Sequence, residues 1–370
     1  MGGELLTSDR KYRVAVVGGA GMWGRNYLSA YARHPSCEIV GLVDRARDRR
    51  DAFAERYDVS ATYDNVEELL DREVPDIVSA IVPVSQNHPV VTACAEAGVR
   101  VISCEKPLSA SLTEADEIVG FCRQRGTLLG CGQAGIATPF MPDVVDWIRD
   151  GHIGPLTGAA IPGGLPTEVS GGGCVQLAAT RILTGMEVEW VEGWALPSEG
   201  GYAAPETADI EADCPAYGRL GLSGGIVCEM VRPDAENRPS CVVAAEGEDG
   251  RVWLCGPEPV LISGKGAAST PVRPSFLEQP SNFFHQTIER LMRAFDTGEE
   301  PRSSGHDMQQ SLEVAIALKL SAHSDHQRIS LPLEDRGLRL FPHPYRLFGG
   351  DVAGYESIGY SGPPSLPSPE

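Results

Sequence analysis

The sequence predicts an α/β fold: an N-terminal doubly wound parallel sheet, then an α+β domain with a mainly antiparallel open sheet. Three observations predict it. Residues 13–131 alternate short, continuously apolar runs with helical patterns, as strands buried on both faces require. A glycine-rich turn joins the first strand to the first helix. After residue 133 the alternation gives way to longer β-like segments punctuated by Gly and Pro, followed by two helices.

In chain order, RVAVV at 13–17 is a strand, and residues 23–33 repeat apolar positions at helical spacing. Residues 38–43 form a second strand and 45–57 a charged surface helix. A short strand at 61–63, a helix at 66–70 and the buried strand DIVSAIV at 76–82 follow. A helix at 89–97, placed with Pro89 in its first turn, precedes a strand at 99–103, a helix at 113–124 and a strand at 127–131. Beyond these, helices are predicted at 141–150 and 175–183, ended by Gly151 and Gly185. Strands follow at 188–195, 216–222, 226–231, 241–246 and 252–255, then helices at 283–296 and 307–322 and an extended ISLPLE. The predicted organisation is a first domain over 10–133, a second over 134–335 and a tail over 336–370. The tail is rich in Gly, Pro and Ser but carries Tyr345, Phe348, Tyr355 and Tyr360, so its first part should pack on the body.

Acidic residues outnumber basic ones by 51 to 31, a formal charge of −20. That field disfavours nucleic acid and anionic membrane surfaces as partners. No window is long and apolar enough to span a bilayer, and MGGELLTSDRKYR lacks the apolar stretch of an export signal. The ten cysteines include no CxxC and fall mostly in apolar stretches, which suggests reduced core thiols in a cytoplasmic protein. No metal site is predicted; the closest candidate, His323 and His326, sits among polar residues at a helix end.

The chemistry begins after the first strand, at Gly18-Gly19-Ala20-Gly21-Met22-Trp23-Gly24. Gly19 permits the tight turn, Gly21 lets backbone approach a pyrophosphate, and Gly24 lets helix and strand pack closely. The amides around Ala20, Met22 and Trp23 open the helix toward phosphate charge. Asp44, twenty residues after Gly24, ends the second strand, where a carboxylate can accept both hydroxyls of an adenosine ribose. This is a Rossmann dinucleotide signature. Asp44 would repel a 2′-phosphate and favours NAD; Arg45 beside it leaves NADP open.

Glu105-Lys106-Pro107 follows the fifth strand, on the carboxyl edge where such sheets bind ligands. A lysine partly buried there can exchange a proton with a hydroxyl. Gln133, ending TLLGCGQ, lies on the same edge.

The strand–GxGxxG–helix start, Asp44, the Pro83…His88 segment and Glu105-Lys106-Pro107 resemble the glucose–fructose oxidoreductase, inositol dehydrogenase and MocA family over about residues 10–335. The resemblance implies NAD(P)-dependent chemistry at a sugar or polyol carbon. It implies that Lys106 touches nicotinamide ribose and substrate, that Glu105 lines the cofactor, and that Pro83 and His88 lie under the nicotinamide end. It also implies a homodimer or homotetramer formed through the second sheet. Two departures stand out. The family's proline and histidine are four residues apart, whereas His88 is five from Pro83. The second-domain GG-xxx-D-x-G-x-H motif, aligned on Gly171-Gly172, puts Gln176 and Thr180 where Asp and His belong. Both can bond hydroxyls, but neither is a base at neutral pH. Lys106 would act alone, or His285 would substitute.

The leading expectation is hydride transfer between nicotinamide and a carbinol carbon of a sugar, polyol or related metabolite. Lys106 would relay the proton, with Gln176 and Thr180 positioning hydroxyls. The alternatives are a redox-neutral glycosidase or lyase that oxidises its sugar transiently, and a degraded sugar or NAD sensor.

Overall fold

The computed structural model describes residues 11–132, 140–198, 202–204, 211–234, 236, 239, 241–255, 258–278 and 283–367. Six strands form the first sheet: β1 (Tyr12–Val17), β2 (Cys37–Val43), β3 (Thr62–Tyr63), β4 (Ile77–Ala80), β5 (Val101–Cys104) and β6 (Leu128–Cys131). They lie in the order β3-β2-β1-β4-β5-β6, and every neighbouring pair is parallel. Helices α1 (Gly24–Arg33), α2 (Arg47–Arg56), α3 (Val66–Leu70), α4 (Val84–Glu96) and α5 (Leu112–Arg125) connect them. All four residues of β4 and of β5 are buried, as a sheet covered on both faces demands. Strand order reverses between β1 and β4, and the crevice beyond their carboxyl ends is where such a sheet binds ligands.

The chain then forms α6 (Met141–Arg149), β7 (Leu156–Ile161), a π-helical turn at Val169–Gly173, α7 (Cys174–Thr184), β8 (Val188–Ala195) and β9 (Glu211–Ala212). Strands β10 (Ala216–Leu222), β11 (Ile226–Met230), β12 (Cys241–Gly247), β13 (Gly250–Cys255), β14 (Val260–Ser263) and β15 (Thr270–Val272) follow. After α8 (Phe283–Thr297) and α9 (Gly305–His323) come β16 (Ile329–Ser330) and β17 (Leu340–Phe341). The nine-stranded sheet runs β15-β14-β13-β12-β7-β11-β10-β8-β16 and is antiparallel except for the β7–β11 pair.

Two helices tie the domains together. Helix α9 opens with a capping box: Ser304 Oγ accepts from Asp307 N–H while Asp307 accepts from Ser304 N–H. It is buried along most of its length against β8, α7 and α5, and Ser303 Oγ donates to Cys131 O of β6 at 2.6 Å. Helix α8 returns to the first domain. Its Ile288, Leu291 and Met292 join Tyr27, Leu28 and Tyr31 of α1 in one buried cluster.

The expected fold class stands, with local differences. Helix α4 begins at Val84, and Pro89 lies inside it rather than in its first turn. The tail adds α10 (Pro344–Phe348) and α11 (Gly350–Ala353), and β17 pairs in parallel with β9. No helix among the described residues is long and apolar enough to cross a membrane.

Candidate active site

A cavity of about 750 Å³ opens at the β1/β4 reversal. One wall is the glycine turn, with Gly18, Gly21, Met22 and Trp23, together with Asp44, Arg45 and Pro83. Glu105 and Lys106 line it, Thr167, Glu168 and Tyr202 come from the second domain, and His343 to Tyr360 of the tail supply the remaining side.

The glycines divide their labour. A Cβ on Gly24 would overlap the carbonyl of Gly18, so α1 sits on the β1 turn only because no side chain intervenes. Gly19 packs inward against Leu42 and Val16. Gly21 faces the cavity, where a Cβ would find only Gly18 O, 3.1 Å away. Buried Ala20 donates its N–H to Asp44 Oδ2 at 3.0 Å, and Ala46 N–H donates to Oδ1 at 2.9 Å. Burial raises the Asp44 pKa above its ordinary value, against those two amide bonds. An open backbone face at a helix start, a carboxylate at the end of β2 and room for a large ligand fit a nicotinamide dinucleotide.

At the inner end, Lys106 Nζ donates to Gly171 O at 3.0 Å. Burial lowers the Lys106 pKa, and the Arg346 guanidinium lowers it further. Arg346 ion-pairs with Glu168 through Nε. Burial raises the Glu105 pKa, and the side chain accepts the Tyr27 hydroxyl at 3.1 Å. The turn carrying Gly171 is folded around Asp213, a buried carboxylate that accepts Val169 N–H at 3.1 Å, Ser170 N–H at 2.7 Å and Ser170 Oγ–H at 2.5 Å.

The structure corrects several expected placements. His88 is not at the cavity; its Nε2 pairs with Glu117 of α5 at 3.0 Å. The residue four positions after Pro83 is Asn87, which is buried. Its Nδ2 lies 3.0–3.1 Å from the carbonyls of Glu105, Pro107 and Leu108, so it shapes the loop that carries Lys106. Neither Gln176 nor Thr180 lines the cavity. Thr180 is fully buried and donates to Gln176 O at 2.8 Å. The π-helical turn accounts for this: Gly173 N–H donates to Glu168 O five residues back, at 3.0 Å, so a glycine-anchored alignment misjudges which face of α7 meets Lys106. The α7 side chain beside Lys106 is Cys174, whose thiol burial pushes up to about 11. His285 is exposed on α8, pairs with Glu289 at 3.2 Å and lies tilted against His34 with ring centroids 5.1 Å apart. These three bring ligand-type atoms within 4.8 Å of one another, but none lines the cavity. Gln133 lies outside the described residues.

Sequence reasoning missed Asn87, Glu168, Asp213 and the tail's His343, Arg346 and Asp351. The spacing to Pro83 was the available signal for Asn87, and position three before the glycine triplet for Glu168.

This combination of a dinucleotide crevice, a half-buried lysine at its inner end and a second domain closing the site defines a two-domain NAD(P)-dependent oxidoreductase. Residues 12–133 match the model of the Gfo/Idh/MocA oxidoreductase family, NAD-binding Rossmann fold. The chain is 28% identical over 148 residues to D-apiose dehydrogenase of Paraburkholderia graminis, covering 40% of this chain and 39% of that protein. It is 24% identical over 333 residues to dTDP-3,4-didehydro-2,6-dideoxy-alpha-D-glucose 3-reductase of Actinomadura kijaniata, covering 84% and 95%. The aldose-aldose oxidoreductase of Caulobacter crescentus, solved with glycerol, superposes with a TM-score of 0.69 at 22% identity, over 87% of this chain and 100% of that one.

Asn87→Ala removes the donor shared by three carbonyls of the Lys106 loop. A buried acceptor left unmet costs about 1–3 kcal/mol. The variant should lose about 2 kcal/mol in urea denaturation; a loss below about 0.5 kcal/mol would show that the loop holds its shape without this side chain.

Proposed function

We propose that the protein moves a hydride between NAD and a carbinol carbon of a sugar, polyol or sugar-like metabolite, with Lys106 relaying the hydroxyl proton. The observation that carries this reading is the Lys106 ammonium, half-buried at the inner end of the cavity and bonded to Gly171 O, with its pKa held below the ordinary 10.5. Bound nicotinamide supplies the hydride acceptor or donor. In the oxidation direction neutral Lys106 Nζ takes the hydroxyl proton, and in reduction the ammonium returns it. Glu168, Arg346 and His343 line the same end of the cavity as polar groups for neighbouring hydroxyls, in the role first expected of Gln176 and Thr180. The tail, packed along the cleft, also favours a second reading: a redox-neutral cycle with retained NAD. Sustained turnover without added NAD, and no net nicotinamide absorbance change, distinguishes that cycle.

Assembly through the nine-stranded sheet belongs to the same proposal. Gly193 of β8 packs against Leu318 of α9, so Trp190, Glu192 and Trp194 occupy the sheet's opposite face. There Trp194 stacks on Tyr217 and Arg328 lies over Trp190, 3.6 Å from its ring centroid. An aromatic face with interspersed charge suits a second copy of the chain. No nucleic acid or membrane partner is proposed.

Lys106→Ala should lower turnover on a responsive sugar or polyol at least about a hundredfold while NAD still binds. Near-normal turnover would remove Lys106 from the chemistry. In wild type, kcat/KM for oxidation should rise with pH as Lys106 deprotonates, through a limb below 10.5. Arg346→Gln removes a cation that opposes protonation of Lys106, so the limb should move to higher pH. An unmoved limb assigns it to another group. Light scattering should give at least twice the monomer mass, and Trp194→Glu should reduce it; a monomeric wild type rules out the sheet interface.

A further inference from the structure

The adenosine end of the cavity holds an arrangement that the β2 carboxylate does not explain. Arg49 of α2, five residues after Asp44, lines the cavity with its side chain only 16% exposed. A cation there is the kind of group that receives a ribose 2′-phosphate. Yet its guanidinium is already engaged: Nη1 donates to Asp351 Oδ1 at 3.1 Å and Nη2 to Oδ2 at 2.5 Å. That carboxylate comes from α11, 302 residues away in sequence. It is held in turn by Tyr355, whose hydroxyl donates to Asp351 Oδ1 at 2.9 Å. Gly350 lies so close to the Tyr355 ring that a Cβ would overlap it, and Gly349 packs against Pro83 on the other side of the crevice. The tail thus reaches both banks of the cleft, and Asp351 is its anchor on the α2 bank.

We propose that Asp351 is a specificity-determining residue: by occupying Arg49 in a forked pair and adding a second carboxylate beside Asp44, the C-terminal tail makes the site select NAD over NADP. The inference rests on the dinucleotide reading of the cavity. Two physical effects act in one direction. Arg49 in a bidentate pair has both terminal nitrogens committed, so a phosphate would have to break that pair. The paired carboxylates of Asp44 and Asp351 repel a dianion but can accept hydroxyl hydrogens. Arg45 also lines this end, and its guanidinium faces Asp351, adding to Arg49 in holding that carboxyl below its ordinary range.

The test is equilibrium binding of NADH and NADPH by nucleotide fluorescence, and of NAD and NADP by calorimetry, to the full chain. Wild type should bind the NAD pair more tightly. Asp351→Asn and Asp351→Ala should each lower the ratio of the NADP to the NAD dissociation constant by about tenfold, a change of about 1.4 kcal/mol. Adding Arg49→Ala to Asp351→Ala should return the ratio toward wild type, because the freed guanidinium is what gains the phosphate. A ratio unchanged within about twofold in both single variants, with NAD still bound, overturns the assignment of Asp351 alone. Equal weakening of both nucleotides also overturns it, and makes the tail a general clamp. Failure of wild type to bind either nucleotide would instead reject the dinucleotide reading beneath it.

Discussion

The structure depends on holding one half-buried ammonium group at a junction of three chain segments. An isolated buried charge costs far more than a folded protein can spare, so it persists only with partners arranged for it. Lys106 reaches the carbonyl of Gly171 at 3.0 Å, between the carboxylates of Glu105 and Glu168 and the guanidinium of Arg346. The carbonyl is available because Asp213 gathers the amides of Val169 and Ser170. Asp213 N–H in turn donates to Phe341 O at 2.8 Å, where β9 and β17 pair. One line of bonds therefore runs from the lysine through the second domain to the start of the tail. Asn87 secures the other side by gripping the loop carbonyls around Lys106. Burial prevails over the flanking carboxylates, and the lysine is held nearer neutrality than one in water.

The tail is part of the site rather than an appendage to it. Arg346 pairs with Glu168 against Gly171, where a side chain would overlap both partners. Asp351 ties the same segment to α2. Tyr202 from the second domain packs edge-on against His343 with ring centroids 5.0 Å apart. These contacts bring together three segments that neither core could hold in register alone. The acidic excess of the chain makes this local set of cations at the cleft more distinctive.

The first domain was legible because its signals are local. Continuous apolar strands, glycines at set spacing and a carboxylate at the end of β2 each act within a few residues of where they appear in sequence. Lys106 was legible because a strand's carboxyl end fixes which edge it meets. The second domain was harder, for identifiable reasons. The π-helical turn at Val169–Gly173, with Gly173 N–H bonded to Glu168 O, changes how α7 presents its faces, and no residue pattern announces it. The family resemblance pointed to His88, but the chain turns Asn87 inward at the fourth place after Pro83. Short strands such as β9 and β17 have too few residues to show a period, and they form because partners meet across more than a hundred residues.

The displaced α7 motif has a consequence for how the site can work. In α7 Thr180, the position aligned with the base, is sealed inside, and its neighbour Arg181 is committed to Gln310, Asp307 and Glu187. A helix so engaged on both sides cannot turn polar side chains toward the cavity without breaking buried bonds. The groups able to meet a ligand's hydroxyls are therefore those on the Glu168 turn and the tail. That shift exchanges a rigid helix for two loops, and loops hold precise geometry only when locked by their neighbours. The Asp213 cluster and the Glu168–Arg346 pair supply that lock, which explains why a carboxylate as costly as buried Asp213 is retained at a position that touches no part of the cavity.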